Sequence, residues 1–244
     1  MLQFVGCRNV IFLYVLVLLV NSSMAIAGSF NAMPVRIDIR KDSQTGSTVI
    51  TNLSNQPLFL QADLMSWSQN DGEDVLEPSN DLVLSPPIFK IKPNGAQTLR
   101  IGLLKARQND VESAYRLMIL EVPQDSKDSG VTINVALQIV LPLFVASRNP
   151  TLPIPAWDVI RNDDGSLTLS VSNSGGSHIH LIGIKLFDGN GHLLSSQNVN
   201  GYVLPGKSRK WNVMQNSVSV FKGNKVRLSV QTDDGDIETD QIIK

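Results

Sequence analysis

The segment that most constrains the fold runs from Gly130 to Phe144, where a large aliphatic residue occupies every second position. Side chains alternate between the two faces of a β-strand, so this pattern predicts a strand with one continuous apolar face. At about 3.3 Å per residue the strand would span about 40 Å or more, well beyond the usual length of about 5 to 6 residues. The aliphatic residues are Val131, Ile133, Val135, Leu137, Ile139, Leu141 and Leu143.

Pro142 lies within this segment and indicates which kind of strand it forms. Proline has no N–H to donate to a β-ladder, so this part of the strand must lie at a sheet edge or at a bulge. A long apolar edge strand invites aggregation, and natural proteins usually shorten or cover it. Its retention predicts that the edge exists to pair with another chain.

The first 27 residues are typical of a secretory signal peptide. Arg8 supplies positive charge, Val10 to Val20 form an apolar run, and Ala25-Ile26-Ala27 is a small-residue cleavage pattern, so we expect the mature chain to begin near Gly28. A membrane anchor is the alternative, but the apolar run falls short of the roughly 18 to 20 residues of a spanning helix. No later segment is long and apolar enough to cross a membrane, so we expect an exported, soluble product.

Two further properties narrow the class of protein. The only cysteine, Cys7, lies in the signal peptide, so the mature protein must be stabilised by core burial without disulfides. The formal net charge is −1, which provides no general attraction for nucleic acid or an anionic membrane. Partner choice must therefore depend on local features.

Short alternating segments separated by turn residues predict an all-β fold throughout the mature chain. Examples are Leu58–Gln69, the hairpin signal at Asn70–Asp74 and the strand Ala114–Pro123, whereas Ser147–Trp157 is rich in proline and lacks alternation. We predict two immunoglobulin-like β-sandwich domains joined by a linker. The predicted limits are 1–27 for the signal peptide, 28–147 for the first domain, 148–157 for the linker and 158–244 for the second domain.

The mature sequence lacks the common catalytic motifs: it has no thiol, no G-x-S-x-G elbow, no H-E-x-x-H and no phosphate loop. His178 and His180 would point to the same side of a strand, and with His192 they could hold a metal. No carboxylate or thiolate follows at a fixed short spacing, so a solvated strand face is favoured. We predict that the protein is not an enzyme and needs no metal or cofactor.

Three acidic clusters, at 70–74, 162–166 and 232–236, raise the alternative of calcium binding. None has the ligand spacing of an EF-hand loop, and their Asp-Gly steps are what tight hairpins require. We therefore interpret all three as turns.

Arg36, Arg100 and Arg116 stand within otherwise apolar, alternating strands, where a guanidinium is costly unless it is paired. The simpler interpretation is an arginine at a strand end that reaches solvent or an internal carboxylate such as Glu112 or Glu121. The alternative is a pocket that binds a partner's carboxylate through the guanidinium fork. The charge pattern alone favours the simpler interpretation.

The segments SPPIFKIKPNGAQTLRIGLL, ESAYRLMILEVP and INVALQIVLPLF resemble the first domain of PapD-like periplasmic pilus chaperones, the partners of outer-membrane ushers. The stretch WSQNDGED, Trp67 to Asp74, together with AYRL and LPLF, is more similar to the archaic branch that assembles Csu-type pili. The resemblance covers essentially the whole mature first domain. In the second domain it is weaker and rests on SVSNSGGSHIHL and YVLPGKSRKW.

This resemblance implies two sandwiches set as an L, with a pilin subunit held in the cleft between them. The chaperone would donate its seventh strand, here Gly130 to Phe144, to a pilin that lacks its own last strand, which is recognition by β-augmentation. The donor side chains would be Val131, Ile133, Val135, Leu137 and Ile139.

In the conventional branch an arginine on the first strand and a lysine on the seventh hold the pilin's terminal carboxylate. The resemblance places that arginine at Arg36, but the lysine position falls on Pro142, so the usual pair is incomplete. We interpret Arg116, on the neighbouring strand, as the replacement cation. Arg100 and Glu112 fall where the family has an internal salt bridge, and no acidic partner is evident in the second domain near Phe221.

The sequence thus predicts a periplasmic chaperone that binds pilin subunits by donor-strand complementation and delivers them to an outer-membrane usher. The alternatives are an exported β-sandwich that binds carbohydrate or a surface protein through its loops, and a β-sandwich hydrolase that uses the histidines. The sequence leaves open whether the free protein caps its own edge as a dimer, and which isomer precedes Pro86 and Pro87.

Overall fold

The computed structural model of the protein describes residues 30–105, 110–123, 136–214 and 222–244, and all regular secondary structure in these ranges is β-strand. No helix in the same ranges could cross a membrane. The predicted fold class, two immunoglobulin-like β-sandwiches, is confirmed.

The first sandwich contains the strands up to β10, in two sheets. One sheet has the order β1-β3-β8-β6, and the other has the order β2-β10-β9-β4-β5, with β7 also paired to β4. The strands are β1 Phe30–Met33, β2 Ile37–Ile39, β3 Thr45–Asn52, β4 Leu58–Asn70, β5 Glu73–Pro78, β6 Leu82–Ser85, β7 Ile88–Ile91, β8 Ala96–Leu103, β9 Ser113–Glu121 and β10 Gln138–Val145.

The first two described strands of the chain belong to different sheets of this sandwich. β1 pairs antiparallel with β3, whereas β2, only a few residues later, pairs parallel with β10. The change of sheet occurs at Pro34, which follows a cis peptide bond, as does Pro86. Because Arg36 lies in this crossing, directly before β2, it reaches the edge of the second sheet beside β10.

Alternation along the strands builds the first core. On β4, Leu58, Leu60 and Ala62 are buried at every second position, which matches the predicted period. The hairpin from β4 to β5 turns at Asp71 and Gly72, whose positive φ angles of 50° and 86° fit a two-residue type I′ turn. Other fully buried members of this core are Ile39, Ile50, Leu99, Ile101, Leu117, Ile119 and Leu143.

The second sandwich packs a sheet of order β11-β12-β15 on a sheet of order β14-β13-β16-β17. Its core includes Leu167, Leu169, Leu181, Leu186 and Leu228. The strands are β11 Pro155–Arg161, β12 Leu167–Asn173, β13 Ile179–Asp188, β14 Leu193–Val203, β15 Lys207–Val213, β16 Lys225–Thr232 and β17 Gly235–Ile242.

The predicted linker, 148–157, overlaps the start of β11. Pro155, Ala156 and Trp157 are the first residues of that strand and pair with Asn173, Ser172 and Val171 of β12. Proline is tolerated there because it is the first residue of the strand. The other domain limits remain predictions.

Candidate partner-binding cleft

The strand β10 has one open edge. It pairs with β9 from Gln138 to Val145, but with β2 only from Leu143 to Val145. Glu121 N–H donates to Leu137 O at 2.9 Å, so the backbone of the odd residues faces β9, and Ala146 N–H donates the other way, to Ile39 O at 3.0 Å. The backbone of Gln138 and Val140 therefore faces a side on which no described strand pairs.

Pro142 fits this alternation. Its position is an even one, so the N–H that proline lacks would have pointed to the open side rather than to β9. The prediction that Pro142 marks a sheet edge agrees with this register. Val140, two residues earlier, keeps its N–H and is 42% exposed.

The predicted donor face lies only partly within the described residues. Leu137 and Ile139 are partly buried against the first core, and Leu141 and Leu143 are buried within it. Val131, Ile133 and Val135 lie outside the described residues. The apolar odd face therefore continues the protein's own core toward the open end of the sandwich, and its use by a partner remains a prediction.

Arg36 and Arg116 lie in one row across the sheet. Leu143 pairs with Ile37, which sets Arg36 beside Pro142, and Pro142 pairs directly with Arg116. All three side chains lie on the outer face of the sheet, because the intervening odd positions of β10 point into the core. The structure thus brings together Arg36, which the resemblance assigns to the anchor, and Arg116, which we interpret as the replacement cation, with Pro142 between them.

Arg36 is bound by two carboxylates. Its Nε donates to Asp38 of β2 at 3.0 Å, and its Nη1 pairs with Asp233 of the second sandwich. Burial alone lowers the pKa of Arg36, but Asp38 and Asp233 more than offset this effect and raise it above its ordinary value. Asp233 also contacts His180 Nδ1 at 3.0 Å.

Arg116 has a different environment. Its guanidinium stacks on the Trp67 ring, 3.6 Å from the ring centroid, and reaches one carboxylate, Asp74, at 3.7 Å. Burial lowers the pKa of Arg116, and Asp74 offsets part of this effect. Arg209 of the second sandwich approaches the same carboxylate at 3.4 Å.

The stretch from Trp67 to Asp74 forms much of the contact between the sandwiches. Gln69 is 2% exposed; its Nε2 donates to Tyr202 O at 2.9 Å, and its Oε1 accepts from Leu204 N–H at 3.0 Å. Trp67 and Gln69 share the outer face of β4, and Asp74 pairs with Gln69 across the hairpin. The motif that most resembles the archaic branch is therefore a docking hairpin.

An aromatic cluster fills the space beside this hairpin. Trp67, Phe144 and Leu204 are buried together, and Tyr202 packs edge-on against Trp67 at 5.5 Å between ring centroids. The Tyr202 ring stacks on His180 at 4.0 Å. Burial raises the pKa of Tyr202, and Asp233 adds to the shift while Arg36 and Arg116 oppose it. Tyr202 therefore lies within the field of both arginines.

The histidines do not form a solvated strand face, which corrects that prediction. The side chains of His178 and His180 are each 13% exposed, because the face they share lies against the first sandwich. His178 stacks on Phe144 at 3.6 Å, and its Nδ1 lies 2.6 Å from Glu112 Oε1. His192 lies beyond the other end of β13 and pairs with Asp188.

The expected salt bridge between Arg100 and Glu112 does not occur among the ion pairs of the described residues. Arg100 lies on β8 between buried Leu99 and Ile101, so its side chain points out from the other sheet. Glu112 precedes β9 and turns instead to the second sandwich, where it accepts from His178 N–H at 3.0 Å. The two residues therefore belong to opposite layers of the first sandwich.

Gln69, Asp74, Tyr202 and Asp233 contribute to this cleft but were not predicted to do so. Gln69 had a usable signal, since alternation along β4 places an amide beside Trp67 on a shared face. Asp74 and Asp233 were interpreted only as turn residues in acidic clusters. That interpretation is confirmed for the turns, where Gly72, Gly165 and Gly235 have positive φ, but it is incomplete for the two carboxylates.

A family model and a curated relative that match this chain are both described as chaperones. The family model described as pili and flagellar-assembly chaperone, PapD N-terminal domain, matches residues 29–149. Chaperone protein FaeE of Escherichia coli is 28% identical over 213 residues, which cover 84% of this chain and 74% of FaeE.

Two solved structures share the fold. The CsuC–CsuE chaperone–tip adhesion subunit complex of Acinetobacter baumannii matches with a TM-score of 0.64 and 20% identity, over 88% of this chain and 99% of the matched chain. The Salmonella enterica SafA pilin in complex with the SafB chaperone matches with a TM-score of 0.62 and 16% identity, over 88% of this chain and 97% of the other.

Proposed function

Because this chain belongs to the family of PapD-like pilus chaperones, we propose that it captures pilin subunits in the periplasm by lending them the strand β10 and the residues before it. The observation that carries the proposal is the open edge of β10, where the backbone of Gln138 and Val140 faces no described strand. The family is one of chaperones and not a class of enzymes.

The donor residues are Val131, Ile133, Val135, Leu137 and Ile139, which would enter the groove of an incomplete immunoglobulin-like subunit. Their support is the alternating sequence, together with the partly buried state of the two that are described, Leu137 and Ile139. Because Leu137 and Ile139 are only partly buried by the first core, they leave apolar surface that a subunit can cover. Burial of such surface contributes about 25 cal/mol per Å² to the free energy of binding.

Arg36 and Arg116 are the cations that would receive the subunit's terminal carboxylate. Their common row across the sheet supports this role, as does the position of Pro142 between them. A carboxylate accepts two parallel hydrogen bonds from a guanidinium, so one arginine suffices for a bidentate contact. We infer that Arg36 is the primary contact, because it is the more exposed of the two.

The finer assignments follow the resemblance. We infer that an outer-membrane usher receives the subunit, that the first 27 residues are removed during export, and that the protein belongs to the archaic branch. The docking hairpin from Trp67 to Asp74 supports the last point. The usher and the archaic branch are tested by a search of the neighbouring reading frames for a pilin and an usher of that branch. Signal-peptide removal is tested by mass spectrometry of the protein purified from the periplasm.

The substitution Val140→Pro tests strand donation directly. It removes an N–H that points to the open edge and that β9 does not use, so the internal ladder is kept. Since one backbone hydrogen bond contributes about 0.5–1.5 kcal/mol, we expect capture of a cognate pilin to fall roughly threefold to tenfold. The measurement is affinity purification of the co-expressed pilin from the periplasm.

Val140→Ala is the matched control, because it shortens the same side chain but keeps the N–H. Leu137→Asp tests the donor face in the same assay, with Val49→Asp on the opposite sheet as its control. Equal capture by the proline and alanine variants, with unchanged thermal midpoints, would exclude the open edge of β10 as the binding element.

A further inference from the structure

The contact between Arg36 and Asp233 places a carboxylate of the protein itself on the arginine that the proposed function assigns to a partner's carboxylate. Asp233 comes from the turn between β16 and β17 in the second sandwich, so the contact crosses the cleft. A side-chain carboxylate and a C-terminal carboxylate are the same chemical group, and a guanidinium binds either in the same way.

We propose that Asp233 is an internal competitor: it occupies Arg36 in the free protein, and a partner's terminal carboxylate takes its place on binding. This inference rests on the proposed function only for the identity of the incoming carboxylate. The competition itself is a property of this chain and can be measured without a pilin.

The charges around Arg36 indicate that an incoming carboxylate replaces Asp233 rather than binding beside it. Asp38 and Asp233 together bring two negative charges to the single positive charge of Arg36. A third carboxylate would enter a site that already has an excess of negative charge, and like charges at such distances repel. Asp38 is held in β2 only two residues after Arg36, so Asp233 is the group that can leave.

Exposure indicates that the internal contact can be broken. The side chains of Arg36 and Asp233 are 35% and 30% exposed, and ion pairs in contact with water are weak compared with buried ones. Arg116, by contrast, is 17% exposed and is covered by Trp67, so its contacts are less suited to exchange.

The released carboxylate keeps a second partner. Asp233 Oδ1 lies 3.0 Å from His180 Nδ1, and His180 Nε2 in turn lies 2.9 Å from Asn200 Oδ1. The histidine ring is fixed further by its stacking on Tyr202. Asp233 can therefore give up Arg36 without becoming an isolated charge, and its turn does not need to unfold.

By thermodynamic linkage, competition is reciprocal: a partner that removes Asp233 from Arg36 also removes one contact between the sandwiches. The structure therefore assigns two coupled effects to Asp233. In the free protein it links the two sandwiches, and by the same contact it lowers the affinity of Arg36 for a partner's carboxylate.

Sodium acetate is the probe for this competition. The mature chain, labelled with ¹⁵N, is titrated with acetate at constant ionic strength, with chloride as the reference anion, and the Nε–H resonances of the arginines are followed. The Arg36 resonance is identified by its loss in Arg36→Lys. We expect Asp233→Asn to lower the acetate concentration that half-shifts this resonance by about threefold to tenfold.

Asp188→Asn is the control, because Asp188 is also an aspartate of the second sandwich that contacts a histidine but lies in another turn. It should leave the titration unchanged. Equal titrations for the native chain and Asp233→Asn, or an acetate response at Arg116 alone, would overturn the inference. Capture of the pilin is measured separately, so its loss in Val140→Pro and the acetate result can succeed or fail independently.

Discussion

Arg36 and Arg116 share a face, a row and an expected role, but their environments differ. Arg36 lies near water between two carboxylates, one of which comes from the other sandwich. Arg116 lies under Trp67, and its one carboxylate partner among the described residues, Asp74, also contacts Arg209. The difference shows that a cation in a binding cleft can be exchangeable or structural depending on what covers it, even when sequence position suggests one function for both.

The substitution Trp67→Ala should have the largest effect, because it removes the cover that distinguishes Arg116 from Arg36. Trp67 is 4% exposed and contacts both sandwiches, so its loss should lower the free energy of unfolding by about 3–5 kcal/mol. Urea unfolding followed by circular dichroism measures this change.

Trp67→Phe is the matched control for that experiment. The indole N–H has no hydrogen-bond partner among the described residues, so phenylalanine should retain most of the stability. A loss of equal size for both variants would mean that the stacked ring does not account for the structural role of this position.

Alanine substitutions of the two arginines should differ in how much they lower the free energy of unfolding. We expect Arg116→Ala to cost about 1–3 kcal/mol, because it removes a stacked cation and leaves Asp74 with Arg209 alone. Arg36→Ala should cost no more than about 1 kcal/mol, as exposed ion pairs do. Arg100→Ala, exposed on the opposite sheet, is the reference, and the same urea titration applies.

Equal losses for Arg36→Ala and Arg116→Ala would contradict the distinction between an exchangeable and a structural cation. In the pilin-capture assay the order should reverse, with Arg36→Ala the more damaging of the two. This reversal is what a purely structural account of both residues does not predict.

A smaller effect should appear at high pH through Tyr202, which lies between the two arginines. An unfolded tyrosine ionises near pH ~10, whereas burial raises the pKa of Tyr202 in the folded protein. The folded state therefore binds more protons above pH ~10, and stability falls as the pH rises through the interval up to the folded pKa.

Tyr202→Phe removes this contribution, so its stability should decline less between pH 8 and pH 10.5 than that of the native chain, measured as the urea midpoint. Tyr115, whose pKa burial also raises, remains in both proteins and sets the common background. Parallel declines would show that Tyr202 ionises as freely in the folded state as in the unfolded one.

The strands were largely predictable because alternation is a local property. Leu58 to Gln69 and the turn at Asn70–Asp74 occur as expected, since a period of two and an Asp-Gly step leave few other structures. β1 and β17 were not predicted. β17 is solvated, and its residues, from Gly235 to Ile242, include four acidic or amide side chains that weaken the apolar signal.

The cleft was only half predictable. Arg36 and Arg116 could be placed in one sheet because the resemblance supplied the strand order, and residue alternation along each strand then set the face on which each side chain lies. Asp233, Asp74 and Tyr202 could not, since their contacts depend on how the two sandwiches pack, which no local period encodes. The predicted salt bridge between Arg100 and Glu112 is absent among the described residues, and the sequence contains the reason. Arg100 stands between two core residues of β8, so its side chain points outward.

Pro142 also limits how far another strand can extend along β10. A strand added to the open edge finds N–H donors at Gln138 and Val140, but none at Pro142, and beyond it β2 already occupies the edge. If a pilin strand adds to this edge, as proposed, its hydrogen bonding to β10 ends beside Pro142, where Arg36 lies. The missing donor would then set the length of the added strand, and a terminal carboxylate at that end would lie next to the guanidinium.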